Sequence, residues 1–143
     1  MLNTLIILIT TTLGALLTSE ISNRLKISKV ATSASLSLVF ASFFHFFPSV
    51  LNSDLTNLLP AAFFGATFTG MSAEKVIYKY QIILAGILFG LIFIFITPYF
   101  SGFGGGLGIS ANISIITTLG IKILFERIKI FYYRQLPQLL KNK

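Results

Sequence analysis

The longest stretch of this chain without a charged side chain runs from Tyr80 to Ile121 and comprises 42 residues. As one α-helix it would be about 60 Å long, whereas the hydrocarbon core of a bilayer is about 30 Å thick. The stretch therefore predicts two antiparallel helices with a turn between them. Its strongest helix breakers are Pro98 and the glycines from Gly102 to Gly108, so the segment "PYFSGFGGG" is expected to form that turn.

The composition makes the bilayer the expected solvent for the whole chain. Only 10% of the 143 residues are charged, and 55% are hydrophobic. A soluble domain has about 25% charged residues, so this chain has too few charges to cover a surface in water. It contains no cysteine. A disulfide framework, a thiolate metal site and a cysteine nucleophile are therefore excluded.

The uncharged runs predict an all-α polytopic membrane protein with five transmembrane helices. The expected spans are about 2–19, 30–50, 56–73, 81–98 and 107–124. The third span contains Pro60, Gly65 and Gly70, and it is either a full crossing or a re-entrant segment. Residues 1–125 are expected to form one transmembrane domain, followed by a cytoplasmic tail over residues 126–143.

The lysines and arginines predict the orientation of the chain. They occur in the loops 20–29 and 74–80 and in the tail, while the loops 51–55 and 99–106 have none. Basic residues favour the cytoplasmic side of a membrane. With five spans, every basic segment lies on one side, so the amino terminus is expected outside and the carboxyl terminus inside. The expected location is the inner (plasma) membrane of a bacterium.

The segment from Lys122 to Lys143, which includes this tail, is basic and amphipathic. Leu124, Ile128, Phe131 and Tyr132 recur at helical spacing, and Pro137 is expected to interrupt the helix. This pattern is typical of a helix on the anionic inner leaflet, so lipids with anionic headgroups are the expected partners. A protein partner in a membrane complex is the open alternative. Nucleic acid is not expected, since the same charges already serve orientation.

The residue types within the spans limit the chemistry. No Asp, Glu, Lys or Arg lies in the middle of a predicted span, which argues against a carboxylate-driven proton pump. His45, in "FASFFHFFPS", is the only histidine; it is either a gate or proton sensor or an interfacial packing residue. We expect no metal site, no cofactor and no enzymatic activity.

Small and hydroxylated residues are the remaining candidates. Ser110, Ser114 and Thr117 fall on one helical stripe, which would either line a polar path or pack helices. Gly86 and Gly90 form a GxxxG pattern, which predicts a close helix contact within the chain or between copies.

Two glycine-containing segments resemble each other. They are "FGATFTGMSA" at Phe64–Ala73 and "FGGGLGISA" at Phe103–Ala111. The expected topology places them at opposite membrane faces, as a short inverted repeat with Gly-interrupted helices would. Chance similarity between small-residue segments is the alternative.

Two functions fit these features. The first is a small oligomeric transporter or channel for a solute or ion. Its candidate pathway residues are Gly65, Thr67, Gly70, Ser72, Gly104, Gly105, Gly106, Gly108, Ser110, Asn112 and Ser114. In that case alanine at Gly106 or Gly108 is expected to abolish activity. The second is a non-transporting membrane scaffold or accessory subunit, in which the same residues only pack helices.

Overall fold

The computed structural model describes residues 2–72, 78–100 and 104–141; for Phe100, Gly104 and residues 133–141 it describes the backbone alone. Of the described residues 93% are helical, and none of them is in a strand. The helices are α1 (Leu2–Leu25), α2 (Lys29–Phe46), α3 (Ser53–Gly70), α4 (Lys79–Phe100) and α5 (Gly104–Lys141), with a short 3-10 turn at Pro48–Val50. The all-helical fold is therefore confirmed.

Four of these helices are long and apolar enough to cross a membrane. They are Leu2–Leu25, Lys29–Phe46, Lys79–Tyr99 and Gly105–Tyr132. Most of their large apolar side chains point away from the bundle and are exposed, among them Leu38, Phe95 and Ile116. Such an apolar exterior is suited to lipid.

Helix α3 lies at the centre of the bundle. It packs against α1, α2, α4 and α5, and nine of its 18 residues are buried. Asn52 caps its first turn, where the side-chain oxygen accepts the Asp54 N–H at 3.2 Å. A helix surrounded by four others meets little lipid, so its polar residues and Pro60 are tolerated there.

Helices α4 and α5 extend further along the chain toward each other than the sequence suggests. Helix α4 continues through Pro98 to Phe100, and the segment from Gly104 to Gly108 is helical. Helix α3 is likewise continuous as far as Gly70. The predicted interruptions of these helices are therefore wrong in the described residues; Ala73 and Phe103, the ends of the two similar segments, lie outside them. In lipid an unmade backbone hydrogen bond costs several kcal/mol, more than the roughly 1 kcal/mol penalty of a helical glycine.

Helix α5 extends beyond the other helices at one end of the bundle. The ammonium group of Lys122 lies 4.7 Å from the centre of the Tyr78 ring, just before α4 begins at Lys79. Lys122 therefore marks the level at which α4 starts. The helix continues from there through Pro137 to Lys141, so the predicted interruption at Pro137 is wrong. The φ of proline is compatible with a helix, but the residue costs about 3 kcal/mol inside one, through a lost backbone hydrogen bond and a clash of its ring with the preceding turn. The helix continues past Pro137 in spite of this cost.

Candidate functional site

The interior of the bundle is polar as well as apolar. Besides leucine, alanine and phenylalanine it buries the side chains of Thr11, Thr18, Ser19, Ser22, Thr32, Ser33, Thr67, Thr69, Gln81, Ser110, Ser114 and Thr118. In soluble proteins most serines and threonines are exposed, so this many buried hydroxyls beneath an apolar exterior would be unusual for a soluble protein. The polar interior is the candidate functional site.

One pair of hydroxyls joins two helices. The Ser33 oxygen of α2 lies 2.7 Å from the Thr67 oxygen of α3, and both side chains are buried. Thr67 is also placed to donate to the carbonyl of Phe64 at 2.6 Å. Ser33 then donates to Thr67, and Ser37 lies 3.4 Å from the same oxygen. Thr67, a predicted site residue, therefore links α2 to α3.

The buried hydroxyls of α5 bond to their own helix. Ser110 donates to the carbonyl of Gly106 at 2.8 Å, and Ser114 donates to that of Ala111 at 2.7 Å. The third buried hydroxyl on this face is that of Thr118, which donates to the backbone carbonyl of Ser114. Thr117, which the sequence predicted on the same stripe as Ser110 and Ser114, is exposed. The inward face of α5 therefore centres between Ser114 and Thr118.

Two buried polar atoms lack a hydrogen-bond partner. Thr69 and Gln81 are each 1% exposed, and neither Thr69 Oγ1 nor Gln81 Nε2 finds a partner in the described residues. The other amide atom of Gln81, its oxygen, accepts the Tyr78 N–H at 2.8 Å. An unpaired buried polar atom costs about 1–3 kcal/mol, and such atoms often accompany a bound water, an ion or a functional site.

Thr69 and Gln81 lie at the same end of the bundle. Thr69 is in the last turn of α3, and Gln81 is in the first turn of α4. Sequence reasoning missed both residues, because they appeared to be ordinary residues at the ends of spans. The available signal was an uncharged amide at the start of the most apolar helix.

Charged groups join the helices at this same end. The Glu20 carboxylate pairs with Arg24 at 2.8 Å and with Lys79 at 2.7 Å, which links α1 to α4. Lys29 of α2 donates to the backbone carbonyl of Ser72, which follows α3. Arg24 and Lys79 are mostly exposed, so these pairs contribute little to stability and mainly bring basic segments together.

The GxxxG pattern of α4 packs within the chain. A Cβ atom built at Gly86 would lie 3.0 Å from the Thr12 Cα, and one at Gly90 would lie 2.5 Å from the Thr11 hydroxyl. Both glycines therefore let α4 approach α1. Of the two alternatives from the sequence, the structure supports the contact within one chain.

The predicted site glycines of α3 are also close to neighbouring helices. A Cβ at Gly70 would lie 2.2 Å from the carbonyl oxygen of Ala15 in α1, and one at Gly65 would lie 2.4 Å from the ring of Phe89 in α4. The backbone of α1 beside Gly70 leaves no room for a methyl group. These two glycines permit helix packing and border no open space.

The predicted site residues of α5 divide between two faces. Ser110 and Ser114 face the interior, whereas Asn112 and Gly105 are exposed. A Cβ at Gly105 or Gly108 would meet no atom within 4 Å, so alanine at Gly108 fits without displacing a neighbour. Gly104 begins the helix, and Gly106 contributes its carbonyl to Ser110. One copy of the chain therefore does not bring these residues to a single surface.

His45 and the described pocket both lie away from the polar interior. His45 is exposed at the end of α2, with its ring 5.6 Å from that of Phe46. An open groove of about 330 Å³ lies between α1 and α4 on the exterior. It is lined by Leu5, Leu8, Ile9, Thr12, Leu13 and Ile87. In the described ranges no three metal-ligating side chains come together.

Comparison of the chain with protein-family models, curated proteins and solved structures finds no match.

Proposed function

We propose that this chain is a small integral membrane transporter or channel of the bacterial inner membrane, acting as an oligomer. Its pathway would follow the hydroxyl-lined interior. The observation that carries this proposal is the pair of unpartnered buried atoms, Thr69 Oγ1 and Gln81 Nε2, in a chain whose exterior is apolar. Polar groups inside a membrane protein are costly and commonly serve transport or ion binding.

The proposal includes five crossings, with the amino terminus outside and the carboxyl terminus inside. The Glu20–Lys79 pair and the contact of Lys122 with Tyr78 support it, because they bring basic segments to one end. Lys29, which reaches the carbonyl of Ser72, belongs to the same end. A common basic end corresponds to the cytoplasmic side. Helix α3 contains polar residues, but its central position among the other helices supports the proposal that it also crosses the membrane.

The interior would suit a small uncharged solute or a monovalent cation. Hydroxyl and amide oxygens are neutral ligands, and the interior residues described above include no Asp, Glu, Lys or Arg. The oxygen atoms of Ser110 and Ser114 keep acceptor capacity while their protons bond to carbonyls of α5.

Opening such a pathway requires helices to separate, and α5 is the helix best suited to move. The hydroxyls of Ser110, Ser114 and Thr118 bond within α5, so its movement breaks none of these bonds. Gly70 and Gly86, in contrast, hold α3 and α4 tightly against α1. We therefore expect α5 to shift against a fixed group of α1, α3 and α4.

A non-transporting scaffold or accessory subunit is the second candidate. The close glycine contacts at Gly70 and Gly86 favour it, because they account for small residues by packing alone. On this alternative the unpartnered atoms of Thr69 and Gln81 are a cost without a function.

A flux assay with two variants that replace a buried polar side chain by an apolar one separates the candidates. The full chain is reconstituted in vesicles of phosphatidylethanolamine and phosphatidylglycerol, and the fluxes of urea, glycerol and K⁺ are measured. Transport predicts flux of at least one probe above protein-free vesicles, with at least about a tenfold loss in Thr69→Val and Gln81→Leu. The exposed Thr117→Val serves as the control and is expected to retain full flux.

The scaffold alternative predicts a different pair of results. Wild-type vesicles show no flux of any probe, and Thr69→Val becomes more stable to unfolding by about 1–3 kcal/mol, because an unpaired buried polar atom is removed. Gln81→Leu is expected to gain less, because it also removes the acceptor of the Tyr78 N–H. Inserted wild-type protein without flux would contradict the transport proposal.

A further inference from the structure

One face of α5 points away from the bundle, although it is rich in small and polar residues. We define the outer face of α5 by Gly105, Gly108, Ile109, Asn112, Ile116 and Gly120. Ile109 is 61% exposed and Ile116 is 68% exposed. The three glycines have no neighbouring atom within 4 Å of a built Cβ. Unlike the glycines of α3 and α4, they serve no packing contact within the described chain.

Asn112 occupies the middle of this face. It follows Gly104 by eight residues and precedes Lys122 by ten. Along the helix axis it therefore lies about 12 Å from Gly104 and about 15 Å from Lys122. These distances correspond to the centre of a bilayer with a core of about 30 Å. Its side chain is exposed and forms no hydrogen bond with the residues that the structure describes.

An exposed amide at this depth requires a partner. In hydrocarbon, an amide without a hydrogen bond costs several kcal/mol. The buried serines of α5 avoid this cost by donating to their own helix, as Ser110 and Ser114 do. Asn112 has two N–H donors and one carbonyl acceptor to satisfy, so lipid tails cannot replace a polar partner.

The spacing of the outer face of α5 fits a helix–helix contact. Gly108, Asn112, Ile116 and Gly120 follow one another at intervals of four residues, which forms a single ridge along the helix. Ridges of this spacing pack against each other with a right-handed crossing of about −40 to −50°. The open glycines permit the two backbones to approach closely.

A second copy of the same helix satisfies these requirements. A side-chain amide is both donor and acceptor, so two asparagines related by a two-fold axis can exchange a pair of hydrogen bonds. The angled crossing also separates the basic inner halves of the two helices, which carry Arg127 and Lys129. The GxxxG pattern at Gly86 and Gly90 is unavailable for this role, since it packs against α1.

We propose that two copies of this chain associate through the outer face of α5, with the Asn112 amides bonded to each other across a two-fold axis along the membrane normal. The inference rests on the membrane insertion in the proposed function and names the oligomer's interface. It does not require transport.

The test measures dimerisation of the full chain in lipid. Protein labelled at a single introduced cysteine is diluted in vesicles of phosphatidylethanolamine and phosphatidylglycerol, and dimers are followed by energy transfer. Asn112→Leu is expected to raise the dimer dissociation constant at least about tenfold, because the paired amides are lost. Asn112→Gln, which keeps an amide, and Thr117→Leu, an exposed residue beside this face, are expected to stay within about twofold.

Disulfide cross-linking locates the interface independently. The chain has no cysteine, so each introduced cysteine reports alone. Oxidation is expected to cross-link Ile116→Cys but not Val39→Cys, which is 69% exposed on α2. Monomeric wild-type protein, unchanged dimerisation of Asn112→Leu or preferential cross-linking at Val39→Cys would overturn the proposal.

The outcome is separable from that of the flux assay. A dimer of this kind without flux supports the interface and contradicts transport. Flux without a dimer supports transport and contradicts both this interface and a dimer as the transporting unit. Protein that is extracted from membranes by alkaline carbonate contradicts insertion and therefore both proposals.

Discussion

The glycines of α3 and α4 and those of α5 have opposite surroundings. A methyl group at Gly70 would collide with the backbone of α1, and one at Gly90 would collide with the Thr11 side chain. A methyl group at Gly108 or Gly120 would meet no atom of the chain. The first set lets three helices of one copy pack closely. The second set lies on a surface where a neighbouring molecule can approach.

This difference shows that small-residue patterns in membrane helices do not identify their own partner. The spacing of Gly86 and Gly90 is the familiar association pattern, yet it packs α4 against α1 within the chain. Gly108 and Asn112 have the same spacing and no partner in the described residues. Substitutions at the two sets should therefore affect different properties, namely folding for the first and association for the second.

The largest expected effect comes from filling the contact between α1 and α4. The double variant Gly86→Leu, Gly90→Leu should lose more than about 3 kcal/mol of unfolding free energy, because overpacking costs about 1–3 kcal/mol at each site. The measurement is titration with sodium dodecyl sulfate in bicelles, followed by tyrosine fluorescence, since the chain has five tyrosines and no tryptophan.

The matched control is the double variant Gly108→Leu, Gly120→Leu. It adds the same side chains where no neighbouring atom lies within 4 Å. We expect its monomer to be at least as stable as the wild type, with a gain of up to about 2 kcal/mol because leucine is a better helix former than glycine, while its dimer dissociates more readily. If instead the Gly86, Gly90 variant folds normally and only its dimer is weakened, the two sets have been assigned the wrong way round.

The smallest expected effect concerns the hydroxyl pair between α2 and α3. Ser33→Ala removes the 2.7 Å bond to Thr67, which retains the Phe64 carbonyl as acceptor. Interhelical hydrogen bonds in membranes contribute about 0.6 kcal/mol on average, so a loss of about 0.5–1 kcal/mol is expected in the same titration. Ser35→Ala, an exposed serine on the same helix, should show no change. Equal effects for the two variants would mean that the bond contributes nothing measurable.

The sequence predicted where the apolar segments lie but not where the helices end. Charged residues such as Glu20 end an apolar run, yet α1 continues to Leu25, with Glu20 and Arg24 paired one turn apart. Likewise, Pro98 and Gly104 predicted a long turn because their helix penalties are known from water. Both residues are nevertheless helical, and both lie at helix ends. Pro98 is in the last turn of α4, and Gly104 is the first residue of α5, where its N–H has no intrahelical partner to lose.

The candidate site was less predictable, because the direction of a side chain depends on neighbours from distant parts of the chain. Helical spacing places Ser110, Ser114 and Thr117 on one stripe. The helices around α5 shift its inward face, so Thr118 is buried instead. Asn112 was grouped with Ser110 by proximity in sequence, yet the two residues lie on opposite faces of α5. For Gln81 the one local signal was an amide at the start of the most apolar helix, which indicates its place in the chain but not its burial.

The central claim is that the glycines fall into two structural classes, and a pair of single variants tests it most directly. The unfolding free energies of Gly70→Ala and Gly120→Ala are measured in one bicelle preparation, with both proteins monomeric. Gly70→Ala should lose about 2–3 kcal/mol or more, because the Ala15 carbonyl lies 2.2 Å from the new methyl group. Gly120→Ala should be unchanged or gain up to about 1 kcal/mol, since alanine is the better helix former. Unfolding free energies that agree within about 0.5 kcal/mol would contradict the account.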